Sequence, residues 1–390
     1  MNAPEVSEIL KRTNEIVQVL SANAAESRTN FRLAEKSIGA MREAGLFRIL
    51  QPRQYGGYEL PPQTVYEAEI TLGLADMSAA WILGVSGVIS WLVSLFDMRA
   101  GNEIWGSNAD EIFCCALRRN GTAIGGVGGR TLSGRWSYAS GCDYSGWAVL
   151  GGLATTQKPG PQDHLLLLVP RRDFEIVRTW RTPGMQATGS HDIIVRDAFV
   201  PGHRIIQMID ILHCCGPGLT VNTAPLYRLP FGQIFGAGVV TPAVGALKAM
   251  LEAFIDTARE RKRMGSYLAE DPEAHFACAE AAGAIDLAHM IISRNFSAMM
   301  NDASSGVMTP IAARLLYKYQ LSTITERCRA AAIRLLDLLG TAGLSDKTPF
   351  SWLMADISTA RQHITNQQLL HARDLGWSML GLPEKLDFMV

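Results

Sequence analysis

The sequence has no surplus of charge of either sign. Its 36 basic and 37 acidic side chains leave a formal net charge of −1 over 390 residues, and only 19% of the chain is charged. So balanced a chain has no electrostatic hold on a polyanion or an anionic membrane surface, which argues against nucleic-acid binding. The seven cysteines are an odd number, four of them fall in the adjacent pairs Cys114-Cys115 and Cys214-Cys215, and there is no CxxC. No disulfide framework or zinc site follows, and reduced thiols in a cytoplasmic protein are predicted. The N-terminus is polar and helix-like from about Glu5 and lacks the basic-then-apolar layout of a signal peptide.

The usual catalytic signatures are missing too. There is no GxSxG, no HExxH and no GxGxxG between a strand and a helix, and the eight histidines do not pair at i, i+4 beside a carboxylate. The run GGVGG at Gly125 to Gly129 lies between two expected strands and reads as a β-turn. Long uncharged runs are rare. The exception, MSAAWILGVSGVISWLVSLF from Met77 to Phe96, has the length of a bilayer span. Its Gly and Ser content and the lack of flanking Lys or Arg predict a buried core helix instead. An apolar interior without catalytic motifs points to a cofactor carrying the difficult chemistry.

What is present separates into three regions by periodicity, an α+β organisation with boundaries at 1–111, 112–213 and 214–390. In the first, Ile9, Ile16, Val17 and Leu20 recur at helical spacing, as do Ile38, Met41 and Leu46. Gly45 closes a helix, and QPRQYGGYELPP (Gln51 to Pro62) is loop. In the second, short apolar stretches (Trp147 to Leu150, Leu165 to Val169, Ile193 to Val195) alternate with Gly, Pro and Asp clusters, the texture of a compact antiparallel β domain. In the third, long helical patterns break near Gly265 to Pro272, Ser304 to Pro310 and Gly340 to Pro349. Four segments of roughly 25 to 30 residues predict an antiparallel four-helix bundle.

Four stretches carry a resemblance: LFRILQPRQYGG (Leu46 to Gly57), LSGRWSYASGCDYSGWAVLGG (Leu132 to Gly152), GMQATGSHDIIVRDAFVPGHR (Gly184 to Arg204) and LYRLPFGQIFG (Leu226 to Gly236). Together, and in this order, they resemble the flavin-dependent monooxygenase branch of the acyl-CoA dehydrogenase superfamily. The resemblance implies an N-terminal helical domain, a middle β-barrel, a C-terminal four-helix bundle and a homotetramer. It implies reduced FMN or FAD delivered by a separate NAD(P)H-dependent reductase, O2 as co-substrate, a C4a-hydroperoxide as oxidant and a small aromatic substrate.

Site residues carry over one at a time. Ser140 matches a serine beside flavin N5, where a hydroxyl can accept from reduced N5–H and slow the loss of hydrogen peroxide; the plainer reading is a strand-end turn serine. Arg228 and Phe231 match positions at the flavin and substrate pocket, or else are a surface ion-pair residue and a core aromatic. His363, seven residues after Asp356, matches a histidine in the last helix that can donate to the distal peroxide oxygen. A lone helical histidine is otherwise structural. Trp81 matches a tryptophan near the flavin and by composition is core. Arg261 matches an arginine that reaches a flavin phosphate in the neighbouring subunit, and is otherwise a solvated helix-end charge.

Two positions depart from the pattern. Phenol hydroxylases of this family carry a phenol-activating histidine eight residues after the tryptophan matched by Trp81, and here that position is Ile89. Their substrate-binding serine aligns with Cys115. An apolar Ile89 cannot deprotonate a phenol, so an electron-rich ring such as indole is the expected substrate, with a phenol the alternative. The other enzyme reading, an acyl-CoA dehydrogenase, needs a carboxylate base. The stretch SDKTPFSWLMAD offers only Asp346 and Asp356, with no glutamate.

Overall fold

The computed structural model describes residues 3–155, 160, 163–263 and 265–382. The first five helices are α1 (Val6–Asn30), α2 (Glu35–Glu43), α3 (Pro62–Gly73), α4 (Met77–Val93) and α5 (Met98–Trp105). The uncharged run forms α4, and every one of its residues is buried. Asp76 starts it as an N-cap, its carboxylate accepting from the Ser78 and Ala79 amides and satisfying two of the helix's free donors. Each large apolar side chain placed there contributes roughly 1.5–3 kcal/mol of burial, so α4 is an organising core element of the chain.

The strands are β1 (Phe113–Gly126), β2 (Gly129–Ala139), β3 (Trp147–Ala154), β4 (His164–Pro170), β5 (Glu175–Val177), β6 (His191–Pro201) and β7 (Ile205–Gln207). They form one seven-stranded sheet in the order β5-β6-β2-β1-β3-β4-β7, with β5 and β7 at its edges. GGVGG makes the predicted turn: Gly126 pairs with Gly129 across a two-residue β1–β2 hairpin in which Gly128 has φ +75°. The expectation of an antiparallel domain is corrected at one place, because β1 and β3 are parallel. The hairpin gives one side of β1 to β2, so the returning chain takes the other side and runs with β1. Strands β4 and β6, far apart in the order, touch each other, so the sheet is strongly curled around its own core of Leu132, Trp136, Leu150, Leu167 and Val195.

Strand β1 divides the two cores by its pleat. Phe113, Cys115 and Leu117 join the core shared with the helices, while Cys114 belongs to the core inside the sheet. The Phe113 amide donates to Ser86 Oγ of α4 at 3.0 Å, which fixes α4 across this strand. All seven cysteines are free thiols.

After α6 (Met208–Leu212) come α7 (Phe231–Glu260), a two-stranded hairpin of β8 (Lys262–Arg263) and β9 (Ser266–Tyr267), then α8 (Pro272–Ser304), α9 (Ile311–Leu339), α10 (Phe350–Ala360) and α11 (Gln368–Met379). Three long helices match the expectation, but the fourth segment is divided. The chain leaves α10 at Ala360, and His363 caps a short 3-10 turn, Ile364–Asn366, before α11. His363 is therefore in the connection between two helices, a correction to its expected place inside the last helix. The physical reason is local: the His363 ring and the Asn366 amide bond the backbone and compete with helix continuation, Asn366 Nδ2 donating to Ala360 O at 2.7 Å.

Among the described residues two helices are long and apolar enough to cross a membrane, α7 with 83% and α8 with 28% of the relevant window buried, whereas α4 is shorter. Long apolar stretches are thus not confined to Met77–Phe96. Helix α7 is core; α8 carries apolar side chains outward, Phe276 and Met290 among them.

Candidate active site

The site assembles where the ends of α4, β2 and α10 converge. Trp81, on the second turn of α4, donates its Nε1–H to Ser140 Oγ at 3.1 Å. Ser140 follows the last residue of β2 and is buried, with 7% of its surface exposed. Its hydroxyl lies 2.8 Å from Ser190 Oγ, which lies 2.7 Å from Thr188 Oγ1, which in turn lies 2.8 Å from Met185 O. The Gly141 amide donates to Thr188 O at 2.8 Å, locking the 185–190 loop to the turn that carries Ser140.

That loop is anchored to α10. Asp356 accepts from the Met185 amide at 2.6 Å, and a Cβ on Gly184 would lie 2.1 Å from Ala355 O, so backbone meets backbone there. Asp356 and Asp76 are each only 7% exposed. Burial, and then repulsion from Asp76, pushes the Asp356 carboxyl up to about 7. Burial pushes Asp76 up to about 6 against the amides that it accepts from. Arg28 of α1 faces both carboxyls and stacks on Trp352 of α10, 4.4 Å from the ring centroid. The only acid that the dehydrogenase reading offered in a helix is therefore engaged by backbone.

His363 completes the constellation. Its ring stands edge-on to Trp81, centroids 5.6 Å apart, and 5.8 Å from Phe235, which touches Phe231, itself stacked on Trp91. The Thr365 amide donates to His363 Nδ1 at 3.3 Å and the Thr365 hydroxyl lies 2.7 Å away. Enclosure of the ring, and then Arg118, holds the imidazole down to about 4. A neutral imidazole whose Nδ1 accepts carries its proton on Nε2, so the His363 ring that packs beside Trp81 and Phe235 keeps one hydrogen-bond donor.

Of the residues singled out in the sequence, the structure brings together Ser140, Trp81, His363 and, through Phe235, Phe231. Ile89 is fully buried in α4, two turns beyond Trp81, and Cys115 lies on the β1 face that joins the same core. Burial pushes the Cys115 thiol up to about 12, so it is a neutral apolar wall. Arg228 is exposed on a 3-10 turn over Pro225–Arg228, and its side chain makes no hydrogen bond among the described residues. Arg261 is half-buried at the end of α7, its carbonyl accepting from the Leu268 amide at 2.8 Å. Neither arginine touches the cluster in this chain. Sequence reasoning missed Thr188, Ser190, Asp76 and Phe235. Asp76 had a legible signal, an Asp at the mouth of an apolar helix. Thr188 and Ser190 stood inside a quoted motif, but only the fold sets their hydroxyls in line.

A flavin fits these residues. Its flat, amphipathic ring needs an aromatic wall and polar contacts along one edge, which Trp81, His363 and the Ser140 hydroxyl supply. Two non-glycine residues in left-handed backbone, Tyr138 (φ 69°) and Met185 (φ 55°), flank the hydroxyl series, and Tyr138 is 68% exposed. Such strain persists where the surroundings over-determine it and clusters at functional sites.

The fold and this site define a flavoenzyme of the acyl-CoA dehydrogenase-like class, and residues 237–368 match the family described as acyl-CoA dehydrogenase, C-terminal domain. The chain is 31% identical to the oxygenase subunit HsaA, a flavin-dependent monooxygenase, of Rhodococcus jostii (strain RHA1), over 96% of this chain and 98% of that protein. The crystal structure of the HsaA monooxygenase from M. tuberculosis superposes with a TM-score of 0.94 at 28% identity, covering 99% of this chain and 100% of that one. The oxygenase component of an FADH2-dependent resorcinol hydroxylase from Rhizobium sp. (strain MTP-10005) is 28% identical over 97% of this chain and 95% of its own length. The chain belongs to the oxygenase subunits of the two-component flavin-dependent monooxygenases.

Proposed function

We propose that this chain oxygenates a small, electron-rich aromatic ring that the protein does not deprotonate, with indole as the leading candidate. The observation that carries the reading is the His363 imidazole, which accepts at Nδ1 from Thr365 and so keeps a donor, Nε2–H, on a ring packed against Trp81 and Phe235. With Ile89 apolar and Cys115 neutral, none of these pocket residues is a base for a phenol, and binding rests on burial against Phe231, Ile89 and Trp81. Bound reduced flavin (FMN or FAD) would supply the two electrons that let one atom of O2 enter the ring while the other leaves as water. Ser140 and Trp81 would hold the ring edge of that cofactor, and His363 would donate to the oxygen being transferred.

Reduced flavin would come from a separate NAD(P)H-dependent reductase, as the subunit names of the relatives suggest. Arg228 and Arg261 would reach flavin only across subunits, in a homotetramer. The outward apolar face of α8 supports such an assembly, and the free thiols suit the cytoplasm.

A second reading, hydroxylation of a phenol, has the resorcinol hydroxylase relative in its favour. A reductase-coupled assay with indole, phenol and resorcinol, scored by product mass, decides between them. Efficient hydroxylation of the phenols with no turnover of indole would overturn the first reading.

A further inference from the structure

The three hydroxyls beside Trp81 form a series whose direction can be worked out by counting protons. Each hydroxyl has one proton to give and oxygen lone pairs to receive with. The far end of the series is Met185 O, a carbonyl that can only accept and that also receives the Trp180 Nε1–H at 2.9 Å. Thr188 Oγ1, 2.8 Å from that carbonyl, must donate to it, since two oxygens at that distance without a proton between them repel. Thr188 then has only lone pairs to offer Ser190, 2.7 Å away, so Ser190 donates to Thr188. Ser190 in turn has only lone pairs to offer Ser140, 2.8 Å away, so Ser140 donates to Ser190. At the near end, Trp81 Nε1–H is a donor only and occupies one Ser140 lone pair. Ser140 is left with one free valence, and it is a lone pair.

We propose that Thr188 and Ser190 are positioning residues that fix the Ser140 hydroxyl as an acceptor toward the flavin, and that they thereby select the reduced cofactor over the oxidised one. The proposal rests on the reading above that Ser140 faces the flavin ring edge. The chemistry of that edge makes the choice. N5 of a reduced flavin carries a hydrogen and donates into the free lone pair. N5 of an oxidised flavin is itself a bare acceptor, and would set lone pair against lone pair. A component that must take reduced flavin from a reductase and let go of it once oxidised gains both preferences from one oriented hydroxyl.

The arrangement is built to resist reversal. Thr188 and Ser190 are 1% and 5% exposed, so no bulk water competes for their protons. The loop holding them is tied at both ends, by Asp356 to the Met185 amide and by Thr188 O to the Gly141 amide.

The test measures binding, not turnover. Dissociation constants of wild-type protein for FMN and FAD, each oxidised and reduced under anaerobic conditions, are compared with those of T188V, S190A, T188S and S140A. Removing the Thr188 or Ser190 hydroxyl frees the Ser140 proton to turn toward an oxidised N5. The oxidised-to-reduced ratio of dissociation constants is expected to fall on the order of tenfold in T188V and S190A, chiefly by tighter binding of oxidised flavin. T188S keeps the donor and is expected to keep the ratio. Should T188V fail to fold, S190A carries the same expectation. Ratios within twofold of wild type in folded T188V and S190A, with S140A weakening reduced flavin, would overturn the relay and leave the site standing. If S140A also leaves every constant unchanged, Ser140 does not face the flavin and the site reading fails with the relay.

Discussion

His363 stands edge-on to Trp81, ring centroids 5.6 Å apart and planes at 73°, although the two residues come from opposite ends of the chain. Trp81 is placed by a helix that Asp76 caps, and His363 by a short turn after the helix that carries Asp356. The two acids thus position the two rings, and their own protonation links the site to pH.

The imidazole of His363 gives the first consequence. Its folded value is depressed to about 4 from an ordinary value near 6.5. The unfolded chain therefore takes up a proton below pH ~6.5 that the folded protein refuses until about 4. Stability from this group is present above pH ~6.5 and is lost as pH falls toward 4. His363 is only half-buried by surface, which discounts the effect to on the order of 2 kcal/mol. Urea unfolding of His363→Gln against wild type is expected to show a difference that changes by about this amount between pH 7 and pH 4.5. A difference independent of pH would contradict it.

Asp356 has the opposite sign. Its folded value is raised, to about 7, so the folded protein keeps a proton that the unfolded chain releases above pH ~4. The stability it contributes is full below that and is lost as pH rises through 7. Asp356→Asn keeps an acceptor for the Met185 amide without the charge, and also removes a repulsion from Asp76. It is expected to match wild type near pH 4.5 and exceed it at pH 8, by on the order of 3 kcal/mol. Over pH 4 to 6.5 the His363 and Asp356 slopes oppose one another, so only single variants reveal either. An advantage that shrinks with rising pH would refute this assignment.

Ser140→Ala removes the hydroxyl that receives from Trp81 and gives to Ser190. The lost bond, of order 1 to 3 kcal/mol, corresponds to roughly a tenfold or greater gain in hydrogen peroxide released per flavin oxidised. Peroxide and product are measured together in the reductase-coupled assay. Unchanged coupling would remove Ser140 from the mechanism.

The close approach of α4 and α7 predicts a purely steric effect. A Cβ on Gly84 would lie 2.3 Å from Gly238 O and 2.8 Å from the buried carboxyl of Glu69. The backbone oxygen cannot move aside, so Gly84→Ala should destabilise by about 1–3 kcal/mol or more, read as a lowered urea midpoint. A neutral effect would mean that the helices separate easily.

Much of this was legible beforehand, and the failures have physical reasons. The order of helices, then strands, then helices and the burial of the Met77–Phe96 run follow from periodicity and from the absence of basic flanks, because both are local properties. The parallel β1–β3 pair was not legible, since nothing within a strand records which side of a neighbour it will take. The sequence pattern puts His363 inside a helix, because the competing bonds of Thr365 and Asn366 are visible only once the turn forms. Ser190 and Thr188 are common loop residues in sequence; their function depends on three hydroxyls falling in line, which is a property of the folded loop.

Ile89 tests the substrate. It lies two helical turns beyond Trp81 and is 0% exposed, and the pleat of β1 turns Cys115 into the same core. If the ring must be nucleophilic by itself, a base at this position adds nothing for indole and something for a phenol. Ile89→His is therefore expected to raise turnover of phenol or resorcinol relative to indole, on the order of tenfold or more, the usual reach of a placed general base being greater still. Burying an imidazole in an apolar core costs stability, roughly 1–3 kcal/mol, so Ile89→Asn serves as the control, equally polar but without a base. A rise in the phenol-to-indole ratio with Ile89→His and not with Ile89→Asn assigns the effect to proton abstraction. Wild-type protein that already turns over phenols well, and gains nothing from the Ile89→His substitution, would show that Ile89 only packs the core.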